Sequence, residues 1–320
     1  MITISTATGR RSKLFAGLIF GLLLVLWGTY YFRFAHPVGT GPAGPSVNPE
    51  AFAKPWTTRS VLLVGIGDSV TAGFGAGDGY AYFERLIKNP PDEFADMRGC
   101  CLTAVLPNLS FTNISASGST SLQHTRIILA QLKMQPSNVL GLVVMTTGGN
   151  DLIHNYGKGP AREGAMYGAT YAQAKPWIDQ FETRLTVMVQ EINGKFLGGC
   201  HIFLANIYDP TDGVGDIQVT GLPAWPEGLL IHQAYNRIIA DCARKNSFVH
   251  LVDIHEVFLG HGLHCTHFWC SHYDWGDPHY WYHDNLEDPN ERGYDAIRRQ
   301  FLNAMIPVFT PHLNFSNLGV

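Results

Sequence analysis

Two spacings of apolar residues run through this chain. Short, mostly apolar runs closed by small or polar residues occur at 61–66, 139–146, 201–208 and 248–252, with a shorter one at 111–114. Such runs predict strands buried on both faces, as in a parallel sheet. Between them apolar residues return every three or four positions, the spacing of an amphipathic helix. Trp177, Phe181, Leu185, Met188 and Ile192 form one such series, and Ile231, Tyr235, Ile238, Ile239 and Cys242 a second. A third, Tyr294, Ile297, Phe301 and Met305, belongs to a last helix starting near Asp288. Shorter helices are predicted at Tyr80–Ile87 and at Ser121–Lys133, where Leu122, Ile128, Leu129 and Leu132 would share a face. Strands alternate with helices, which predicts a parallel sheet with helices on both faces.

The N-terminus follows another pattern. Arg10, Arg11 and Lys13 precede an uncharged stretch from Leu14 to Phe32. As a helix this stretch would be ~28 Å long, close to the ~30 Å hydrocarbon core of a bilayer. A cleaved secretory signal has a shorter apolar region and a small-x-small cleavage site. Candidates for such a site are poor here, so the stretch reads as an uncleaved anchor. The basic residues 1–13 would stay in the cytoplasm and everything after residue 32 would lie outside it. A Pro/Gly-rich tether is expected at 33–58, a folded domain at 59–310 and a tail at 311–320.

The 320 residues carry 22 Lys+Arg against 26 Asp+Glu, and no long basic run, which argues against nucleic acid as a partner. Six cysteines would be oxidisable outside the cytoplasm, with Cys265 and Cys270 the most local pair. Asn108, Asn113 and Asn314 begin Asn-x-Ser sequons, of which Asn113 lies too close to a buried strand to be used.

Candidate chemistry gathers at strand ends. The first strand runs into Gly67-Asp68-Ser69 and the second ends at Ser115-Ala116-Ser117-Gly118. The third runs into Gly148-Gly149-Asn150-Asp151. Gly65-Ile66-Gly67 begins like a dinucleotide fingerprint, but Val70 stands at its third glycine, and no Gly-Lys-Ser/Thr phosphate loop is present. Position 71 is Thr, so Ser69 is not in a Gly-x-Ser-x-Gly elbow. In order and placement the three blocks resemble the SGNH (GDSL-type) hydrolases. That resemblance implies a three-layer α/β/α fold with a flavodoxin-like sheet and no cofactor. It also implies Ser69 as nucleophile, with an oxyanion hole formed by the backbone N–H groups of Ser69 and Gly118 and the Asn150 carboxamide.

The last block departs from the family. Before the final helix the family carries Asp-x-x-His, often followed by Pro-Asn-x-x-Gly-Tyr. Pro289-Asn290-Glu291-Arg292-Gly293-Tyr294 keeps the second part, but Asp288 stands at the His position and Asn285 at the Asp position. Asp288 also suits a helix N-cap, with Pro289 and Glu291 behind it. Asp151 and His154 form the one Asp-x-x-His, in another block. The base must then come from elsewhere. His283 is the first candidate, pinned five residues upstream of Asp288, with His264 and His261 as alternatives. Asp277, Asp284, Glu287 or Asp288 could orient the imidazole, and Asp288 is preferred. The run His261, His264, Cys265, His267, Cys270 and His272 also holds enough N and S donors for a zinc site, at a spacing matching no strong zinc pattern.

The expectation is a membrane-anchored serine esterase, facing the periplasm, lumen or exterior, acting on a small-molecule, acylated-glycan or lipid ester. A non-catalytic binding module of the same fold and a metal-dependent hydrolase using residues 261–272 are the alternatives.

Overall fold

The computed structural model describes residues 7–311, without the side chains of 7–11 and 127–129. Asn314, residues 1–6 and the tail from 312 lie outside the described residues, as do the Ile128 and Leu129 side chains. The chain opens with helix α1 (Ala7–Tyr30), extended by a wider turn over Tyr31–Ala35. The segment Ser12–Ala35 is long and apolar enough to cross a membrane, and none of it is buried in the protein.

Strand β1 (Ser60–Ile66) leads into α2 (Ser69–Ala72), α3 (Tyr82–Ile87) and α4 (Leu102–Val105). Then follow β2 (Leu109–Asn113), α5 (Ser121–Gln131), β3 (Val139–Met145) and α6 (Gly149–Ile153). Helix α7 (Tyr171–Gly194), β4 (Cys200–Ala205), α8 (Gly228–Lys245), β5 (Val249–Val252), α9 (Ile254–Phe258) and α10 (Glu291–Phe309) complete the described residues. The five strands among the described residues are all parallel, in the order β2-β1-β3-β4-β5. This is the flavodoxin-like order, whose direction of winding reverses between β1 and β3.

Alternation of side chains builds the two outer layers. From β1, Val61 and Leu63 face α3 and α10, where Tyr294, Ile297, Phe301 and Met305 are fully buried. Val64 and Ile66 face α7 and α8, which bury Phe181, Leu185, Met188, Ile231 and Tyr235. Helix α5 departs from expectation: Leu122 is exposed while Leu132 is buried.

Two further expectations need correction. Asn290, not Asp288, caps α10, its Oδ1 accepting from the backbone N–H groups of Arg292 and Gly293 at 3.0 and 3.1 Å. The expected tether is also part of the folded body. Ala43, Val47 and Ala51 are buried with α10 in one core, and the Ala43 N–H donates to Asp295 at 3.1 Å. Arg292 donates to the Gly41 carbonyl, and Asn303 to Ser46 at 3.0 Å.

Candidate active site

Ser69, Gly118 and Asn150 follow three neighbouring strands, so the parallel sheet delivers their turns to one edge. Hydrogen bonds stitch the turns together. The Gly67 carbonyl accepts from Ala116 N–H at 2.9 Å and from Ser119 Oγ at 3.2 Å. Asn150 Nδ2 donates to the Ser119 carbonyl at 3.0 Å. A carboxamide nitrogen has two N–H groups, and the second has no protein partner among the described residues. Gly67, at φ +153°, can only be glycine: a Cβ there would stand 2.3 Å from Thr146 Oγ1. Gly118, at φ +74°, has open space where a Cβ would be, leaving its backbone approachable.

Beneath the Ser69 turn lies a buried polar chain. Asp68 Oδ1 accepts from Val70 N–H at 3.2 Å and from Thr146 Oγ1 at 2.8 Å. Thr71 Oγ1 bonds Thr146 Oγ1 at 2.8 Å and Tyr82 Oη at 2.7 Å. Burial pushes Asp68 up to about 6. His124, fully buried, spans the other two turns, with Nε2 2.7 Å from Ser119 Oγ and Nδ1 2.8 Å from Thr147 Oγ1. Burial lowers it to about 4, so it is a neutral strut at physiological pH. No sequence pattern singled it out, because its partners are brought together by the sheet order. Asp151 has a comparable structural task, accepting from Ser121 N–H and Oγ at 2.8 and 2.7 Å at the start of α5.

Ser69 and Asn150 open onto one cavity, whose far wall comes from α8, the turn after β4 and the turn before α10. Leu152, Ile153, Ile217 and Leu229 make much of it apolar. Leu286 and Glu287 come from the 283–288 turn, closed by His283 N–H on the Asp288 carbonyl at 2.7 Å and held with Leu286 at φ +63°. A non-glycine residue there is strained, and such strain clusters at functional sites. Tyr208 Oη donates to the Glu287 carbonyl. Burial, with the nearby charge of Asp288, raises the Glu287 carboxyl to about 7. Asp288 is buried: Oδ2 accepts from Asn285 Nδ2 at 2.7 Å, while Oδ1 has no partner.

The three candidate imidazoles lie elsewhere. The His283 ring packs against Gly75 and Phe74 and lines a separate cavity with Tyr31 and His36. His261 stacks on Trp281 at 3.4 Å and its Nδ1 meets the His279 carbonyl. His264 Nε2 is 3.1 Å from Asp216. Among the described residues the one histidine lining the Ser69 cavity is His232, unexpected from sequence, whose Nε2 donates to the Ile207 carbonyl at 2.8 Å. His154 ends α6 and does not line the cavity. The His/Cys run at 261–272 does not converge: among the described residues no three His, Cys, Asp or Glu side chains form a metal-ligating group. Nor are Cys265 and Cys270 paired; all six cysteines are free, and the Cys265 thiol turns toward the Ala35 carbonyl.

A sequence model described as the GDSL-like Lipase/Acylhydrolase family matches residues 66–296. Among solved structures, an extracellular lipase from Streptomyces rimosus is 21% identical with a TM-score of 0.50, covering 76% of this chain and 98% of its own. A phospholipase A1 from Streptomyces albidoflavus is 18% identical with a TM-score of 0.45, covering 77% of this chain and 99% of its own. The esterase EstA from Pseudoalteromonas sp. is 15% identical with a TM-score of 0.45, covering 77% and 96%. No curated protein matches.

Proposed function

This chain belongs to the GDSL-like lipase/acylhydrolase family, and on that footing we propose that it is a membrane-anchored serine esterase working through an acyl-enzyme on Ser69. The observation that carries the reading is the joining of three strand-end turns, which puts the serine and the Asn150 carboxamide on one cavity. Ser69 Oγ attacks the ester carbonyl, and its proton passes to a base. The Ser69 and Gly118 N–H groups and the Asn150 carboxamide receive the oxyanion charge. Collapse expels the alcohol, which takes the proton, and water attacking the acyl-enzyme repeats the sequence to release the acid. We assign the base to the Glu287–Asp288 pair. Glu287 lines the serine's cavity and titrates at about 7, where a base is available at neutral pH. The apolar wall suits the acyl part of a lipid or small-molecule ester.

A fluorophosphonate probe tests this directly. Labelling of the wild type and none of Ser69→Ala is the expected result. Its rate should fall about tenfold per pH unit below about 7, as Glu287 gains a proton and ceases to be a base. Labelling of the alanine variant, or of neither, would remove Ser69 from the chemistry. Asn150→Ala is expected to lower kcat on a soluble ester by ~10²–10³-fold with little change in KM; an unchanged kcat would take the carboxamide out of the oxyanion hole.

A second reading, a non-catalytic binding module, is favoured by a single observation. The one imidazole on the cavity wall among the described residues, His232, already has its Nε2 committed to Ile207. A folded wild type that never labels would select it.

A further inference from the structure

We propose that the loop joining α9 to α10 rests on the bilayer surface beside α1, and that this brings the mouth of the Ser69 cavity to the lipid. The proposal rests on the anchor reading above and names a membrane lipid ester as the class of substrate.

The loop carries three large apolar side chains with little packed against them: Phe268, Trp269 and Trp275 are 63%, 68% and 77% exposed. Exposed apolar groups of this size gathered on one loop mark an interaction surface. Their place in the fold identifies the partner. At one end the loop is fastened to the chain leaving the apolar helix. Tyr280 N–H donates to the Pro37 carbonyl at 2.9 Å, the Tyr280 and His36 rings meet at 4.7 Å, and the Cys265 thiol turns to Ala35. Trp269 stacks on His267 at 4.7 Å within this same loop. Tryptophan beside the end of an apolar span is the usual marker of the lipid–water boundary.

At its other end the loop is fastened to the cavity wall. The Asp212 carboxylate collects the backbone N–H groups of Gly260, Gly262 and His264 at 2.8–2.9 Å. Leu263 N–H donates to the carbonyl of Pro210, which lines the Ser69 cavity. His272 lies against Gly213. Two residues on, Gly215 lines the cavity, flanked by Val214 at 47% exposure. One continuous stretch of protein therefore runs from the end of the apolar helix, past three exposed aromatic rings, to the cavity rim. Asp274, Asp277 and Asp284 are the charged residues of residues 266–284, with no Lys or Arg among them. That composition fits a zwitterionic surface and opposes an anionic one.

The test uses the full chain in phosphatidylcholine vesicles whose acyl chains are brominated near the headgroup, reading tryptophan quenching. Trp27→Phe should remove the part due to the anchor and leave a second quenched component. Adding Trp269→Phe and Trp275→Phe should abolish most of that remainder. Equal quenching in Trp27→Phe and in the triple variant would overturn the proposal with the anchor intact. Equal quenching in wild type and Trp27→Phe would overturn it by removing the anchor. Neither outcome depends on hydrolysis, so failure of the esterase reading is seen separately, in the fluorophosphonate experiment.

Discussion

Replacing Asn285 by Asp and Asp288 by His together is expected to raise kcat on a soluble ester, by less than the ~10²–10⁴-fold a positioned general base contributes in all, because the imidazole takes over from the Glu287–Asp288 carboxylates. The pair occupies the two places where the family carries its Asp-x-x-His. The contact already present has the same form with the roles exchanged: here Asn285 Nδ2 donates and Asp288 Oδ2 accepts. In the double variant the introduced imidazole would donate its Nδ1–H and the introduced carboxylate would accept it. The backbone need not move to allow this, because the 283–288 turn is closed by main-chain bonds, His283 N–H to Asp288 and Asn290 N–H to Trp281. What is lost with Asp288 is its share of the proposed carboxylate base; its Oδ1 holds no partner in the native chain. Asn285→Asp alone should lower kcat, because it sets a second carboxylate against the buried Asp288. A folded double variant with kcat at or below the native value would show that position 288 does not face the nucleophile.

Asp295→Ala is expected to destabilise the fold by about 3–5 kcal/mol, read as a lower urea midpoint at unchanged slope. Asp295 is fully buried between Arg298 and Arg299, with Arg299 Nε donating to it at 3.0 Å. Arg298 also meets Glu93, and Arg85 meets Glu93 at 2.9 Å. These three guanidinium groups face three carboxylates, the third being Asp96. Removing the central carboxylate strands guanidinium charge in a buried place and frees the Ala43 N–H as well. Asp96 is half exposed, so Asp96→Ala should cost no more than ~1 kcal/mol. Equal losses in the two variants would mean that burial of the cluster is not what makes it matter.

The sheet could be read from sequence because four of the strand runs are largely apolar and the helices are apolar on one stripe; β2, at the sheet edge, is instead exposed from Ser110 to Asn113. The fold class expected on those grounds agrees with the structure, and the family expected from the three strand-end blocks agrees with the family match. Local rules failed where two residues satisfied them equally. Asp288 and Asn290 are both good caps, and Asn290 is chosen because its carboxamide also reaches the Tyr280 carbonyl, at 2.8 Å. This choice frees Asp288 from the cap. The Pro/Gly content of residues 33–58 suggested slack, since its partners Arg292, Asp295 and Asn303 lie some 250 positions away. Histidines 261 and 264 are placed by Asp212 and by stacking on Trp281, contacts that no spacing in the sequence encodes.

The docking of residues 37–56 bears on how such an enzyme would meet its substrate. A free chain of about twenty residues has an end-to-end distance of roughly 25 Å, enough to let a domain roam over its surroundings. Here that leash is wound in, and Arg292, Asp295 and Asn303 hold it against α10. In a chain held by α1, reach is then set by the short stretch at 31–36, and encounters depend on lateral diffusion of both parties within the plane.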